Sequence, residues 1–116
     1  MNLAEIRDRA GSYPALLHHG GTALALFSAA FYGENDGIFL ADAEMTVTCV
    51  DTDAEKLAEM AELYPESWDF VTDDAWHYAE RAVYEGRTWD VVSIDAGAYM
   101  MAPALEDLPL WCSLAR

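Results

Sequence analysis

The chain has 116 residues, 53% of them hydrophobic, with 21 acidic against 6 basic side chains and a formal net charge of −15. That length suits one domain burying roughly 65% of its extended-chain surface, and the apolar content excludes a disordered chain. The negative charge repels phosphate backbones and so disfavours direct nucleic-acid binding, and no apolar run approaches the roughly 20 residues that span a bilayer.

Residues 2–9 and Ser12 to His19 read as two short helices. Gly11 ends the first, while Ser12 caps the second, Pro14 sits in its first turn and Gly20-Gly21 stops it. The opening Met1 to Arg7 lacks the charged-then-apolar layout of a signal peptide, so a cytoplasmic location is the default expectation. Thr22 to Ser28 predicts a strand, Ala29 to Gly37 a loop carrying Gly33 and Gly37, and Ile38 to Ala43 a short helix. Met45 to Asp51 is the next strand.

Thr52-Asp53-Ala54-Glu55 reads as a capping box, with Thr52 as cap, opening a helix that runs to Tyr64 before Pro65. Its apolar stripe is Leu57, Met60, Ala61 and Tyr64. With Thr52 doing the capping, Asp51 is left free at the strand end. Phe70 to Thr72 is a short strand. Asp73 or Asp74 then caps a helix from Ala75 to Glu85, with Trp76, Ala79 and Val83 on one face and Gly86 as its stop. Trp89 to Asp95 is a strand whose near-continuous apolar centre suits cover on both faces. Ala96 to Pro103 reads as loop, and Ala104 to Ala115 as a weak helix broken at Pro109. All four tryptophans read as core.

Cys49, inside a strand pattern, behaves as a small buried hydrophobe. Neither it nor Cys112 belongs to a metal-ligand spacing, His18 and His19 are adjacent and point apart on a helix, and His77 stands alone, so no metal site is expected.

Three of the strand-like runs end on aspartate: Val47 to Asp51, Trp68 to Asp74, and Trp89 to Asp95. Strands alternating with helices read as βαβ units, and in open α/β sheets ligands bind outside the carboxyl ends of the strands. Three acids at three such ends point at one crevice. The expected fold class is α/β, a Rossmann-like three-layer α/β/α arrangement over a short, mostly parallel sheet of about four strands. Residues 1–116 would form a single half-domain, with 1–21 a helical segment packing on it. Aspartate also caps helices and starts turns, which is the plain structural alternative for each of these residues.

The pattern resembles that of class I S-adenosylmethionine-dependent methyltransferases. The motif Val47-Thr48-Cys49-Val50-Asp51 matches the second strand of that family, which gives Asp51 the role of holding the ribose hydroxyls, with Thr52 beside it. Phe70-Val71-Thr72-Asp73-Asp74-Ala75 is similar to the third, which places Asp74 and Ala75 at the adenine. Trp89-Asp90-Val91-Val92-Ser93-Ile94-Asp95 is similar to the fourth, which makes Asp95 the catalytic candidate facing the substrate. Leu24-Ala25-Leu26-Phe27-Ser28-Ala29-Ala30 resembles the first-strand motif of some DNA cytosine methyltransferases, with Ala25 where an acid is expected and Ala29 where a glycine is expected. The resemblance implies that Ser28 and Gly33 lie at the methionine part of the cofactor, and Tyr13, Tyr32 and Tyr99 are candidate substrate-lining residues. The implied cofactor is S-adenosylmethionine and the implied activity methyl transfer to an unidentified acceptor.

Two other functions stay open: a non-catalytic interaction module derived from this fold, and an acidic DNA-mimic inhibitor. Size and density also suit an accessory protein of phage type. The chain stops about where a fourth helix would finish. In the family's strand order the fourth strand would then be an edge, and an apolar edge templates pairing with another chain. Self-association through the 89–95 strand or the C-terminal helix is the expected partnership, with no membrane contact.

Overall fold

Two glycines precede the first strand, and the five residues after them alternate small and large: β1 (Thr22–Leu26) sends Ala23 and Ala25 to one face and Leu24 and Leu26 to the other. The computed structural model describes residues 21–28, 40, 41, 43–94, 96 and 98–116. The expected helices at 2–9 and 12–19 and the loop at 29–37 lie outside the described residues, as do Tyr13, Tyr32, Gly33 and Asp95. Within the expected 38–43 helix, Leu40 and Ala41 are helical.

Seven further elements follow in the described residues: β2 (Thr46–Asp51), α1 (Ala54–Leu63), β3 (Asp69–Thr72), α2 (Ala75–Tyr84), β4 (Val91–Ile94), α3 (Ala98–Glu106) and α4 (Leu108–Ser113). The four strands form one parallel sheet in the order β3-β2-β1-β4. This is the expected α/β class, compatible with a Rossmann-like fold. The chain leaves β1 toward β2 and β3 on one side, then recrosses to β4 on the other. The order therefore reverses at β1, the place where such sheets open a crevice.

Each face of the sheet has its own core. Ala23, Ala25, Val47 and Cys49 pack against Leu57 and Met60 of α1, with Met45 and Trp68 closing the cluster. Leu24, Leu26 and Val50 pack against Ala75, Tyr78, Ala79 and Ala82 of α2 and against Trp111 and Leu114. Cover on both faces is why the strands read as apolar runs. Leu24 and Leu26 are fully buried, which contributes roughly 1.5–3 kcal/mol each.

Several expectations change. β1 ends at Leu26, because Phe27 takes a left-handed backbone (φ 59°) that no strand continues through. The α1 cap is Asp53, whose carboxylate accepts the Lys56 N–H at 3.1 Å, not Thr52. Of the expected α1 stripe, Leu57 and Met60 are buried and Tyr64 packs half-buried against the same core, while Ala61 is exposed. On α2 the buried face is Ala75, Tyr78, Ala79 and Ala82, where small residues let the helix approach the sheet closely; of the expected face, Ala79 is buried and Trp76 packs half-buried against the same core, while Val83 is exposed. Gly86 does stop α2: at φ +74° it donates to the Val83 carbonyl (3.1 Å) while Arg87 donates to Ala82 (2.9 Å), a complete Schellman motif.

β4 starts at Val91, not Trp89. Asp90 turns out to accept the Thr22 N–H at 2.8 Å, and Trp89 instead pairs with Ala115 in a single parallel bridge. All four β4 residues are half-buried, so this strand is not covered as fully as its apolar run suggests. The segment expected as loop contains α3, which carries Pro103 inside it, and Pro109 opens α4 at a position whose N–H needs no helical partner. No helix among the described residues is long and apolar enough to cross a membrane.

Candidate functional site

A cavity of about 160 Å³ opens at the carboxyl ends of the strands. Phe27 enters directly after β1, Val50 and Asp51 end β2 with Thr52 following, the β3–α2 junction supplies Asp73, Asp74, Ala75 and Trp76, and α3 supplies Met100. Four residues predicted for cofactor binding, Asp51, Thr52, Asp74 and Ala75, are thus brought to one cavity from two strand ends 23 positions apart in the chain, as counted from Asp51 to Asp74.

The carboxylates are held by local backbone geometry. Asp51 Oδ1 accepts the Asp53 N–H at 2.9 Å, so the expectation of a free Asp51 is corrected: its carboxylate organises the turn that lets Asp53 cap α1. Asp74 caps α2 by accepting the His77 N–H at 3.0 Å. Asp73 accepts the Asp74 N–H at 2.8 Å, and its two oxygens lie 3.0 and 3.1 Å from His77 Nδ1. His77, alone in the sequence, therefore has a carboxylate partner one helical turn away.

The walls are aromatic. Phe27 and Trp76 meet edge to face, with ring centroids 5.4 Å apart and planes at 77°. Trp111 backs both, at 6.4 Å from Phe27 and 5.6 Å from Trp76. Trp76 Nε1 donates to Asp107 Oδ2 at 2.5 Å, which ties the cavity wall to the α3–α4 junction. The left-handed backbone of Phe27 costs roughly 1–2 kcal/mol for a residue with a Cβ. The aromatic cluster that its ring completes offsets that cost. Trp68, Trp89 and Trp111 are buried core as expected, and Trp76 packs half-buried against the same core as Trp111 while also lining the cavity.

The other predicted residues distribute differently. Ser28 is fully buried and does not line the cavity. Its hydroxyl lies beside the Cys49 thiol without the geometry of a formed hydrogen bond, and has no partner among the described residues. Burial pushes the Cys49 thiol up to about 12, and the nearby Ser28 opposes this only weakly. Tyr99 lies on α3, with its side chain outside the described residues. Gly33, Tyr13, Tyr32 and Asp95 lie outside them entirely. Among the described residues no group of three or more His, Cys, Asp or Glu could hold a metal ion.

Phe27, Val50, Asp73, Trp76 and Met100 line the cavity but were not predicted as site residues. A signal existed for Trp76, which directly follows Ala75 in the first turn of a helix beginning at a strand end. None existed for Met100, which reaches the site only because α3 folds over it. No family model and no curated protein matches this chain.

Proposed function

We propose that the chain is a methyltransferase-like protein that binds S-adenosylmethionine, with the adenosine end in this cavity. The observation that carries the reading is the convergence of Asp51 and Asp74, from two successive strand ends, beside the aromatic corner of Phe27 and Trp76. Asp51 would accept the ribose hydroxyls and Asp74 the adenine amine, each a hydrogen bond strengthened by the carboxylate charge. Phe27, Trp76 and Met100 would enclose the ring. Among the described residues, three carboxylates and no basic side chain line the cavity, which favours a ligand without phosphates over a nucleotide.

The volume supports one ring system. About 160 Å³ is half the lower end of the roughly 300–1,000 Å³ typical of sites for whole drug-sized ligands. The described walls thus fit the base end, and the methionine end would fall to the segment carrying Ser28 and Gly33. When bound, the cofactor supplies a sulfonium-activated methyl group, and the task of the chain is to hold it in line with an acceptor. Asp95, following β4, is the proposed acceptor-facing acid.

A non-catalytic interaction module is the second reading, and the fully buried Ser28 together with alanine at positions 25 and 29 favours it. Calorimetric titration with S-adenosylmethionine and its demethylated product separates the two. Saturable binding that weakens in Asp51→Ala supports the first reading. Absence of binding at millimolar ligand, or unchanged affinity in Asp51→Ala, sinks it.

A further inference from the structure

Of the elements around the cavity, α3 has the least holding it. Among its described side chains, Met100 to Glu106, only Ala104 is buried, whereas α2 buries Ala75, Tyr78, Ala79 and Ala82. Among the described residues no other element packs extensively on α3. Met100 lines the cavity and is still 41% exposed. An element with so little buried apolar surface opens at a small fraction of the free energy that unfolds the domain.

The attachment is also one-sided. Trp111 Nε1 donates to the Ala104 carbonyl at 2.6 Å, and the Asp107 carboxylate accepts the Trp76 indole N–H. Asp107 is available for that bond because its side chain has nothing to cap. It stands at the N-cap of α4, but Pro109 has no N–H, and the Leu110 N–H goes to the Asp107 carbonyl at 2.9 Å. Both ties fall at or beyond Ala104. Immediately before them Pro103 sits inside the helix, where it offers no N–H to the Tyr99 carbonyl one turn back and its ring crowds that carbonyl. Helices bend at such a residue. We infer that the half of α3 before Pro103 is a lid, which swings at Pro103 on a base fixed at Ala104 and Asp107 and carries Met100 over the cavity or away from it. The swing does not depend on what the cavity holds; that it gates S-adenosylmethionine rests on the reading of the cavity as an adenosine site.

Relaxation dispersion on the full chain without ligand tests the swing, with the Met100 methyl signal assigned by its loss in Met100→Leu. The expected result is exchange at the Met100 methyl and the Ala102 amide that is absent from β2 and α2. Pro103→Ala, which returns the missing N–H and removes the ring, should lower the open population at least tenfold, with circular dichroism confirming the fold. No exchange at Met100 in the parent overturns the inference, as does exchange that Pro103→Ala leaves unaltered. Exchange shared equally by α2 and β2 is a general loosening and overturns it as well. Stopped-flow mixing with S-adenosylmethionine tests the gating. Pro103→Ala should slow association and release together, about tenfold each, and leave Kd within about threefold, because ligand enters and leaves through the same open fraction. Binding with both rates unchanged in Pro103→Ala overturns the gating. If S-adenosylmethionine does not bind at all, the adenosine reading fails, and the ligand-free exchange alone decides the lid.

Discussion

Asp74 has two jobs in this reading, and two substitutions separate them. Its carboxylate accepts the His77 N–H at 3.0 Å as the N-cap of α2 while lining the cavity. Asp74→Ala removes the cap, worth about 1 kcal/mol, and a negative charge at a helix N-terminus, worth about 0.5 kcal/mol at an exposed position. For a domain of this size about 1.5 kcal/mol lowers the unfolding midpoint by roughly 6 °C. Asparagine caps about as well as aspartate, so Asp74→Asn should lose only the charge contribution and shift the midpoint by about 2 °C. Binding should order the variants differently. A hydrogen bond to a charged acceptor is worth about 1.5–3 kcal/mol, so Asp74→Ala should weaken S-adenosylmethionine binding by roughly 10- to 150-fold. Asp74→Asn keeps an acceptor oxygen without its charge and should lose about fivefold. Thermal unfolding and calorimetric titration on the three proteins provide both measurements. If both variants bind within twofold of the parent while Asp74→Ala melts lower, Asp74 is a cap and nothing more, and the adenine assignment fails.

Trp76→Phe keeps an aromatic wall but removes the donor to Asp107; it should cost about 1–1.5 kcal/mol in denaturant unfolding and reduce ligand-dependent quenching of tryptophan fluorescence, and an unchanged quench would place the ligand elsewhere. Gly86→Ala should destabilise by about 1 kcal/mol although no heavy atom lies within 4 Å of the added Cβ, because the cost is the left-handed backbone itself; a neutral Gly86→Ala contradicts the Schellman stop. The buried Cys49 thiol, raised from 9.0 to about 12, stays protonated when folded and ionises first when unfolded, so stability falls as pH rises through that window. The fall is at most about 1.4 kcal/mol per pH unit for this group. Tyr64, also raised by burial, acts in the same direction at higher pH. Denaturant midpoints between pH 8 and 10.5 should decline in the parent and less in Cys49→Ala, and a thiol reagent at pH 8 should modify the exposed Cys112 and spare Cys49. Native labelling of both would refute the burial argument.

The sequence by itself determined what is local or periodic. Short apolar runs between helix and turn signals located all four strands to within two residues, and the alternation with helices indicated a parallel sheet with Asp51 and Asp74 at one end of it. Gly86 and Asp74 were legible because a helix stop and a helix cap depend on a few neighbouring residues. What only the tertiary structure decided involves competition between local options. Thr52 and Asp53 are both good caps, and Asp53 wins because Asp51 accepts its N–H and turns the chain there. Two helical stripes fit α2, and the sheet selects the one built on Ala75, Ala79 and Ala82 because small side chains permit close approach. Four tryptophans look alike in a string of letters, yet three are buried in cores and Trp76, half-buried, also lines the cavity. Met100 joins Phe27 across 73 positions of chain, counted from 27 to 100, only because α3 closes over the strand ends. The floor of the site was therefore written in strand periodicity, while its walls come from packing between segments that no local pattern connects.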